Sequence, residues 1–241
     1  MIAQYPPTTE ECAQAVSTLF DGVFHDLESW RDVIALLGPK TRPAELEELV
    51  ETLVIPSLTL SNPLLLGAGF IAAPEFVRGR SVHFCWWLGP LESNPLLGMT
   101  SVPTRLDLQA RMYTEYLPDV RQLEWYSIPE ATQQRHVTGP YVDHLCTCDY
   151  LFTVTIPVRV AGQMIGVVGA DVSVRRLETS VLPLLLAANQ PLALVNALCR
   201  VVISTEPTVQ VGQLAPLFET ALACEGLPFR ILVGPGLRPR I

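Results

Sequence analysis

A pair of β-rich runs constrains the fold more than any other feature of the sequence. The segment "YLFTVTIPVRVAGQMIGVVGADVSV" covers residues 150–174, and Ala161–Gly162 divides it into two halves. A short turn containing glycine between two runs of β-branched residues is typical of an antiparallel hairpin. In the first run Phe152 and Val154 alternate with Thr153, so apolar and polar side chains are expected on opposite faces.

Two earlier segments predict further strands. They are "LLLGAGFIA" (64–72) and "SVHFCWWLG" (81–89). In the second half of the hairpin, Gly166 and Gly169 leave room for a group that approaches the backbone closely. Residues 90–138 show no period but contain proline, tyrosine and tryptophan, so we interpret them as an irregular, ordered segment that faces a ligand.

The N-terminal region has the pattern of two helices. Residues 8–37 place apolar side chains at helical spacing, and Thr8 with Glu11 fits a capping box. Pro43 suits the first position of a second helix, because its missing N–H is harmless there. Pro56 is expected to stop that helix.

The C-terminal region adds smaller elements. "LETSVLPLLLAA" predicts a helix, "LALVNALCRVVIST" a second hairpin-like pair, "GQLAPLFETALACEG" a helix ended by Gly226, and "FRILV" a strand. This order predicts an α+β fold in which a long N-terminal helix packs on a central antiparallel sheet. We divide the chain into a module over 1–178 and a smaller C-terminal α/β extension over 179–241.

Composition excludes several classes of partner. The net charge is −8 and the single lysine is Lys40, so the chain lacks the basic patch that binding to nucleic acid requires. No signal peptide is evident, and prolines interrupt the most apolar segment, so we expect a soluble, cytoplasmic protein without a membrane segment. In a reducing compartment the six cysteines are expected to be free thiols.

The segment "LEWYSIPEATQQRHVTGPYVDHLCTCDYLFTVTIPVRVAGQMIGVVGADVSVRRLE" carries a resemblance to a known family. A Trp-aromatic pair, Pro-Tyr-x-Asp, a Thr-Val-rich strand, a glycine turn and Gly-Val-Val-Gly-x-Asp-Val follow one another in this order. The sequence resembles a Cache domain, the PAS-like ligand-binding module of many bacterial sensors. Residues after Leu177 resemble, more weakly, a truncated second PAS-like module.

The resemblance implies a set of site residues for an amino acid or amine. The aromatic pair is Trp125 and Tyr126, the next tyrosine is Tyr141, and the two acids are Asp143 and Asp171.

The match is incomplete at two family positions. Leu123 stands where the family has an arginine that would hold a carboxylate, and Arg121 is close but out of register. Tyr116 or Tyr113 could supply an early tyrosine, although neither has the family spacing. Trp86 and Trp87 are adjacent on a predicted strand and face opposite ways, and we assign Trp87 to the pocket.

The residues themselves favour a cationic ligand. Two carboxylates beside aromatic rings offer charge-assisted hydrogen bonds and cation–π attraction of about 0.5–2 kcal/mol per ring. Without a positioned arginine, the site favours an amine, a polyamine, a quaternary ammonium compound or an amino-acid-derived amine over a zwitterion.

The cluster of His144, Cys146, Cys148 and Asp149 invites a metal or redox interpretation. Structural zinc sites pair Cys-x2–4-Cys with a second pair of ligands, whereas this spacing is Cys-x-Cys and the other histidines are dispersed. A redox pair prefers Cys-x-x-Cys at the start of a helix. We therefore predict no metal and no cofactor at this cluster.

The predicted function is that of a non-catalytic sensor. No nucleophile elbow, phosphate loop or dinucleotide fingerprint is present, although an unrecognised enzyme site remains an alternative. A free-standing sensor needs a partner protein, and we favour a transcriptional regulator by analogy. A ligand carrier without a signalling role is the second alternative. The long N-terminal helix serves either a homodimer interface or its own sheet.

Overall fold

The computed structural model describes residues 5–61, 63–81, 83–91, 98–106, 120–144, 147–216 and 218–234. The predicted site residue Tyr116, its alternative Tyr113, and Cys146 lie outside these ranges. The elements are α1 (Thr9–Ile34), α2 (Pro43–Leu58), β1 (Leu65–Ala72), β2 (His83–Leu88), β3 (Thr104–Arg105), α3 (Glu124–Thr132), β4 (His136–Val142), β5 (Tyr150–Val160), β6 (Gln163–Ser173), α4 (Val174–Ala187), β7 (Leu192–Val195), β8 (Val201–Ser204), β9 (Thr220–Ala223) and β10 (Arg230–Val233). None of the described helices is long and apolar enough to cross a membrane.

Contacts along the chain define two compact units. One is Val23–Ser173, and the other combines Met1–Gly22 with Val174–Ile241. The boundary predicted after residue 178 falls inside α4. The first unit contains a six-stranded sheet and the second a four-stranded sheet, and every pair of neighbouring strands in both is antiparallel.

The N-terminal helices begin where the sequence predicts. The Thr8 N–H donates to Glu11 Oε2 at 2.7 Å and the Glu11 N–H donates to Thr8 Oγ1 at 3.2 Å, which confirms the capping box. The predicted stop of α2 at Pro56 is wrong, because the helix ends at Leu58. Beyond the proline, the Thr59 N–H donates to the carbonyls of Ile55 and Pro56 and so closes one more turn.

The predicted hairpin is confirmed as β5 and β6. Ala161 and Gly162 both have positive φ, at 49° and 84°, as a tight two-residue turn requires. The six strands follow the order β3-β2-β1-β6-β5-β4. A β-bulge between Val158 and Arg159 shifts the register of β5 on β6 by one residue.

The two faces of this sheet differ in character. Phe152 and Val154 share an apolar face, as predicted, and α2 packs against β1 and β2. The opposite face carries Thr153, Thr155 and Asp171. Thr153 on β5 is the register partner of Asp171 on β6, and Thr155 lies two residues further along β5. Helix α3 contacts β4, β5 and β6.

Two predicted elements are wrong. Residues 90–138 are not irregular throughout, since their described part contains β3 and α3 and the start of β4. Helix α3 is hard to recognise because it is short, encloses Pro129 and lacks a side-chain N-cap hydrogen bond.

The helix predicted for "GQLAPLFETALACEG" is also wrong, because Thr220–Ala223 forms strand β9. Its pairing with β10 outweighs the helix preference of alanine and leucine. Gly226, with φ of 71°, lies in the turn between these strands. The strands predicted in "LALVNALCRVVIST" and "FRILV" are confirmed as β7, β8 and β10.

Candidate ligand-binding site

A hydrogen-bonded chain crosses the polar face of the six-stranded sheet and ends at Asp171. The Thr153 hydroxyl donates to Asp171 Oδ1 at 2.7 Å, and the Tyr141 hydroxyl lies 2.6 Å from Thr153 Oγ1. When Thr153 uses its one hydrogen on Asp171, Tyr141 is the donor of the second bond. Asp171 is only 6% exposed, so one oxygen of a buried carboxyl is held in place by strand neighbours.

Asp143 is held by the loop that follows β4. The Thr147 N–H and hydroxyl both donate to Asp143 Oδ2, at 2.9 and 3.0 Å. The Cys148 N–H donates to the Asp143 carbonyl at 2.7 Å, and the Asp143 N–H donates to the Asp149 carbonyl at 2.9 Å. This loop therefore fixes the position of a second buried carboxylate.

The environment of Asp171 disfavours its charged form. Burial raises the pKa of Asp171 to about 8, and repulsion from Asp143 acts in the same direction. The hydrogen bond from Thr153 and the nearby indole N–H of Trp86 lower the pKa and offset part of this rise. Asp171 is consequently mostly protonated near neutral pH, and it can ionise readily when a positive charge arrives.

The structure places Trp86 rather than Trp87 beside the acids. As predicted, the two side chains face opposite ways, but Trp87 pairs with Ala68 and Trp86 with Gly69 across β1 and β2. On β1, Gly67 is the register partner of Asp171, and Gly69 lies two residues further along the strand. Gly69 and Asp171 therefore lie on the same face of the sheet. The assignment of Trp87 to the pocket is therefore wrong, and this side chain lies on the apolar face.

The predicted aromatic pair sits on α3 over the polar face. Tyr126 is fully buried and Trp125 half-buried, with ring centroids 6.3 Å apart and planes at 78°. The Thr155 hydroxyl donates to the Trp125 carbonyl at 2.9 Å and ties the helix to β5. Tyr126, Trp125, Tyr141 and Trp86 belong to one apolar cluster. The structure thus brings both predicted acids and three predicted aromatic residues to one face.

The departures from the family pattern lie at the start of α3. Leu123 is the N-cap residue of α3 and is half-buried. Arg121 is exposed, in the 3-10 helix Val120–Gln122 that precedes it.

Two residues with hydrogen-bonding side chains at this site were not among the predicted site residues. Thr153 links Tyr141 to Asp171, and Trp86 lies beside the carboxyl. The alternation in β5 identified Thr153 as polar-facing, but nothing in the sequence pattern indicated that Asp171 would be its partner. Gly169 leaves room for Trp86 itself, and Gly166 leaves room for the ring of Phe70.

The histidine–cysteine cluster is described only in part, because Cys146 lies outside the described residues. Cys148 is exposed and has a φ of 55°. Within the described ranges, no group of three or more His, Cys, Asp or Glu side chains is placed to hold a metal ion. The five described cysteines are free thiols.

Comparison with known proteins identifies the fold, and one family model matches part of the chain. Residues 82–179 match the family model for the first PDC sensor domain of methyl-accepting chemotaxis protein-like proteins. No curated protein is significantly similar to the chain in sequence.

Solved structures resemble most of the chain. The ligand-binding domain of the Pseudomonas aeruginosa PAO1 amino acid chemoreceptor PctC, in complex with GABA, has a TM-score of 0.62 and 18% identity, covering 94% of this chain and 96% of that one. That of the Pseudomonas fluorescens chemoreceptor CtaA, with L-valine, has a TM-score of 0.61 and 17% identity, covering 97% and 95%. The extracellular domain of soHK1S-Z6, described as a histidine kinase, has a TM-score of 0.63 and 14% identity, covering 92% and 88%.

These similarities agree with the order of elements and the antiparallel sheet. The α+β fold class is confirmed, and so is the resemblance on which the sequence interpretation rested. Residues 82–179 match the model of a PDC (Cache) sensor-domain family, and the chain has the fold of the sensor-domain structures that it resembles.

Proposed function

We propose that the chain senses a small molecule with a cationic amine, which Asp171 and Asp143 bind beside the rings of Trp125, Tyr126 and Tyr141. The observation that carries this proposal is the buried pair of carboxyl groups on the polar face of the sheet. Amines, polyamines and amino-acid-derived amines share the group that such a pair recognises.

The electrostatics support a cation in particular. Desolvation and mutual repulsion keep the proton on Asp171 until a positive charge compensates the carboxylate. An ammonium group supplies that charge together with N–H donors for the carboxylate oxygens. Trp125 and Tyr141 add aromatic surface to the same cluster, and cation–π attraction of about 0.5–2 kcal/mol per ring would strengthen binding.

The ligands named for two similar structures support recognition of an amino group. Whether this chain also recognises a carboxylate is a separate point. GABA and L-valine, named for the PctC and CtaA structures, both contain an amino group and a carboxylate. Here Leu123 occupies the N-cap of α3, where the family pattern has an arginine, and a leucine cannot pair with a carboxylate. We therefore propose that this chain prefers an amine to a zwitterionic amino acid.

Calorimetric titration with a matched panel tests this preference. Phenethylamine, phenylalanine and succinate present an amine, an amino acid and a dicarboxylate. Binding of phenethylamine more tightly than phenylalanine is the expected result. Tight binding of succinate without binding of either amine-containing compound would contradict the proposal.

Signalling through a partner protein completes the proposal, with a transcriptional regulator as the favoured partner. Affinity capture with the purified chain, with and without bound amine, separates a sensor from a carrier. A sensor captures a partner whose amount changes with ligand, whereas a carrier captures none under either condition.

A further inference from the structure

The Trp86 indole lies across a strip of glycines on the polar face. It starts on β2, crosses β1 and reaches β6. A Cβ atom at Gly67 would lie 2.8 Å from Trp86 Nε1, one at Gly69 would lie 2.9 Å from Cε3, and one at Gly169 would lie 3.3 Å from Cη2. Any side chain at these positions would displace the ring, so the three glycines give the indole its place.

The indole nitrogen is the second observation. Trp86 is 5% exposed, and its Nε1 is buried without a well-formed hydrogen bond to any described residue. Gly67, beside this nitrogen, is the register partner of Asp171. Thr153 occupies Asp171 Oδ1. A buried N–H without an acceptor is unfavourable, and the acceptor close to it is the Asp171 carboxyl, whose pKa this indole lowers.

We propose that Trp86 is a specificity-determining residue of the cation site, whose indole N–H closes onto Asp171 when a bound ammonium group displaces the carboxyl proton, and whose ring limits the depth of the pocket. The inference rests on the proposed function. In this step Asp171 gives its proton to solvent, while the ligand keeps all of its N–H hydrogens and its positive charge.

The arrangement selects for a head group with N–H donors. An ionised carboxylate accepts several hydrogen bonds, and Thr153 and Trp86 supply only part of that number. A primary ammonium group supplies the remainder. A quaternary ammonium group has no N–H, and its methyl groups would need the space that the indole fills.

The groups around Asp171 have opposite effects on its pKa. The charge of Asp143 opposes ionisation of Asp171, whereas donation from Thr153 and the nearby N–H of Trp86 favour it, and Tyr141 acts through Thr153. Loss of the indole N–H leaves Thr153 as the remaining donor that is described at this carboxyl. The pKa of Asp171 would then rise further.

Nitrogen-15 NMR of the wild-type indole groups tests the pairing directly. The chain has four tryptophans, and replacing each of Trp30, Trp87 and Trp125 by phenylalanine in turn assigns the Trp86 signal by elimination. We expect the Trp86 Nε1–H to shift downfield as pH rises through about 8, and again when phenethylamine is added at pH 7. Trp87, on the opposite face, is the internal control. A Trp86 signal as insensitive as that of Trp87 overturns the inference.

Matched substitutions test the effect on binding. Trp86→Phe keeps most of the ring without its N–H, and Trp87→Phe makes the same change on the other face. For Trp86→Phe we expect the midpoint of the pH profile of phenethylamine affinity to rise by about one unit, with about a 10-fold loss at pH 7. Trp87→Phe should leave the profile unchanged. Equal profiles for the two folded variants contradict the proposal.

Head-group selection is tested with the N-trimethyl derivative of phenethylamine. The wild type is expected to bind it at least about 10-fold more weakly than phenethylamine, and Trp86→Leu should narrow this difference. An unchanged ratio in a folded Trp86→Leu variant contradicts the role of the ring. If no amine binds the wild type, the proposed function fails. The ligand-free pH response of the Trp86 signal then still decides whether Trp86 pairs with Asp171.

Discussion

Amine binding is expected to release a proton and to strengthen as the pH rises. The pKa of Asp171 is raised to about 8, so about nine-tenths of the molecules carry the Asp171 proton at pH 7. A bound ammonium group requires the ionised form. Affinity should therefore increase about 90-fold between pH 6 and pH 9, with a slope of about 0.9 log units per pH unit near pH 7.

Calorimetry in two buffers measures this proton directly. Phosphate and Tris have different ionisation enthalpies, and the difference in observed binding enthalpy gives the number of protons released. Phenethylamine stays largely charged across this range. We expect release of about 0.9 proton at pH 7 and about 0.1 at pH 9.

The matched control is Glu130→Gln, which removes an exposed acid from α3 without changing the site. It should leave the proton release unchanged, whereas Asp171→Asn should abolish it. A flat affinity between pH 6 and pH 9, with no proton released by the wild type, would refute the assignment of Asp171 as the ionising ligand group.

Three further outcomes follow from the same geometry. The unfolded state loses the Asp171 proton near pH 4 and the folded state near pH 8. The free energy of unfolding of the wild type should therefore fall by about 1.4 kcal/mol per pH unit between these values. Urea unfolding of Asp171→Asn should lack this pH dependence. Thr153→Val removes the donor to Asp171 Oδ1, which should raise the pKa of Asp171 and weaken phenethylamine binding about 10-fold at pH 7; equal affinity by calorimetry would count against the Tyr141–Thr153–Asp171 chain. Leu123→Arg restores the family's cation at the start of α3, and the ratio of phenylalanine to phenethylamine affinity should rise about 10-fold or more; an unchanged ratio would show that position 123 does not face the ligand carboxylate.

The cytoplasmic location predicted from the sequence is a separate question, and it stays a prediction. One structure with the same fold, that of soHK1S-Z6, is an extracellular domain, whereas we predict a cytoplasmic location for this chain. Fractionation of cells that produce the chain, with detection by antibody, separates these two locations.

The sequence predicts the hairpin well because its signals are local. Ala161–Gly162 can adopt the positive φ angles of a tight turn, and β-branched residues flank it on both sides. The strands before it and the capping box of α1 also depend on neighbouring residues. Elements of this kind need no knowledge of distant contacts.

The register of the hairpin depends on a feature that the pattern does not reveal. Continuing the pairing of Val160 with Gln163 without interruption would place Asp171 opposite Phe152, on the apolar face. The bulge after Val158 moves Asp171 opposite Thr153 instead. Because a one-residue slip exchanges the two faces of a strand, this bulge creates the hydrogen bond at the centre of the site.

The role of Trp86 could not be predicted for a related reason. Its neighbour Trp87 is equally apolar in sequence, and strand alternation says only that one of them faces each side. The choice depends on the pairing of β1 with both β2 and β6, which brings Gly67, Gly69 and Gly169 into one strip. Long-range strand pairing decides which tryptophan faces the polar side, and this pairing cannot be predicted from the pattern of a single sequence.

The affinity of phenethylamine for the wild type and for two single variants tests the central claim most directly. Asp171→Asn removes the buried carboxylate on β6, and Asp149→Asn removes an acid that instead hydrogen-bonds to Ser173 and to the Tyr150 N–H. Calorimetry at pH 8 should show a loss of at least about 100-fold for Asp171→Asn and a much smaller change for Asp149→Asn. Equal affinity of the wild type and Asp171→Asn would contradict a cation site built on Asp171.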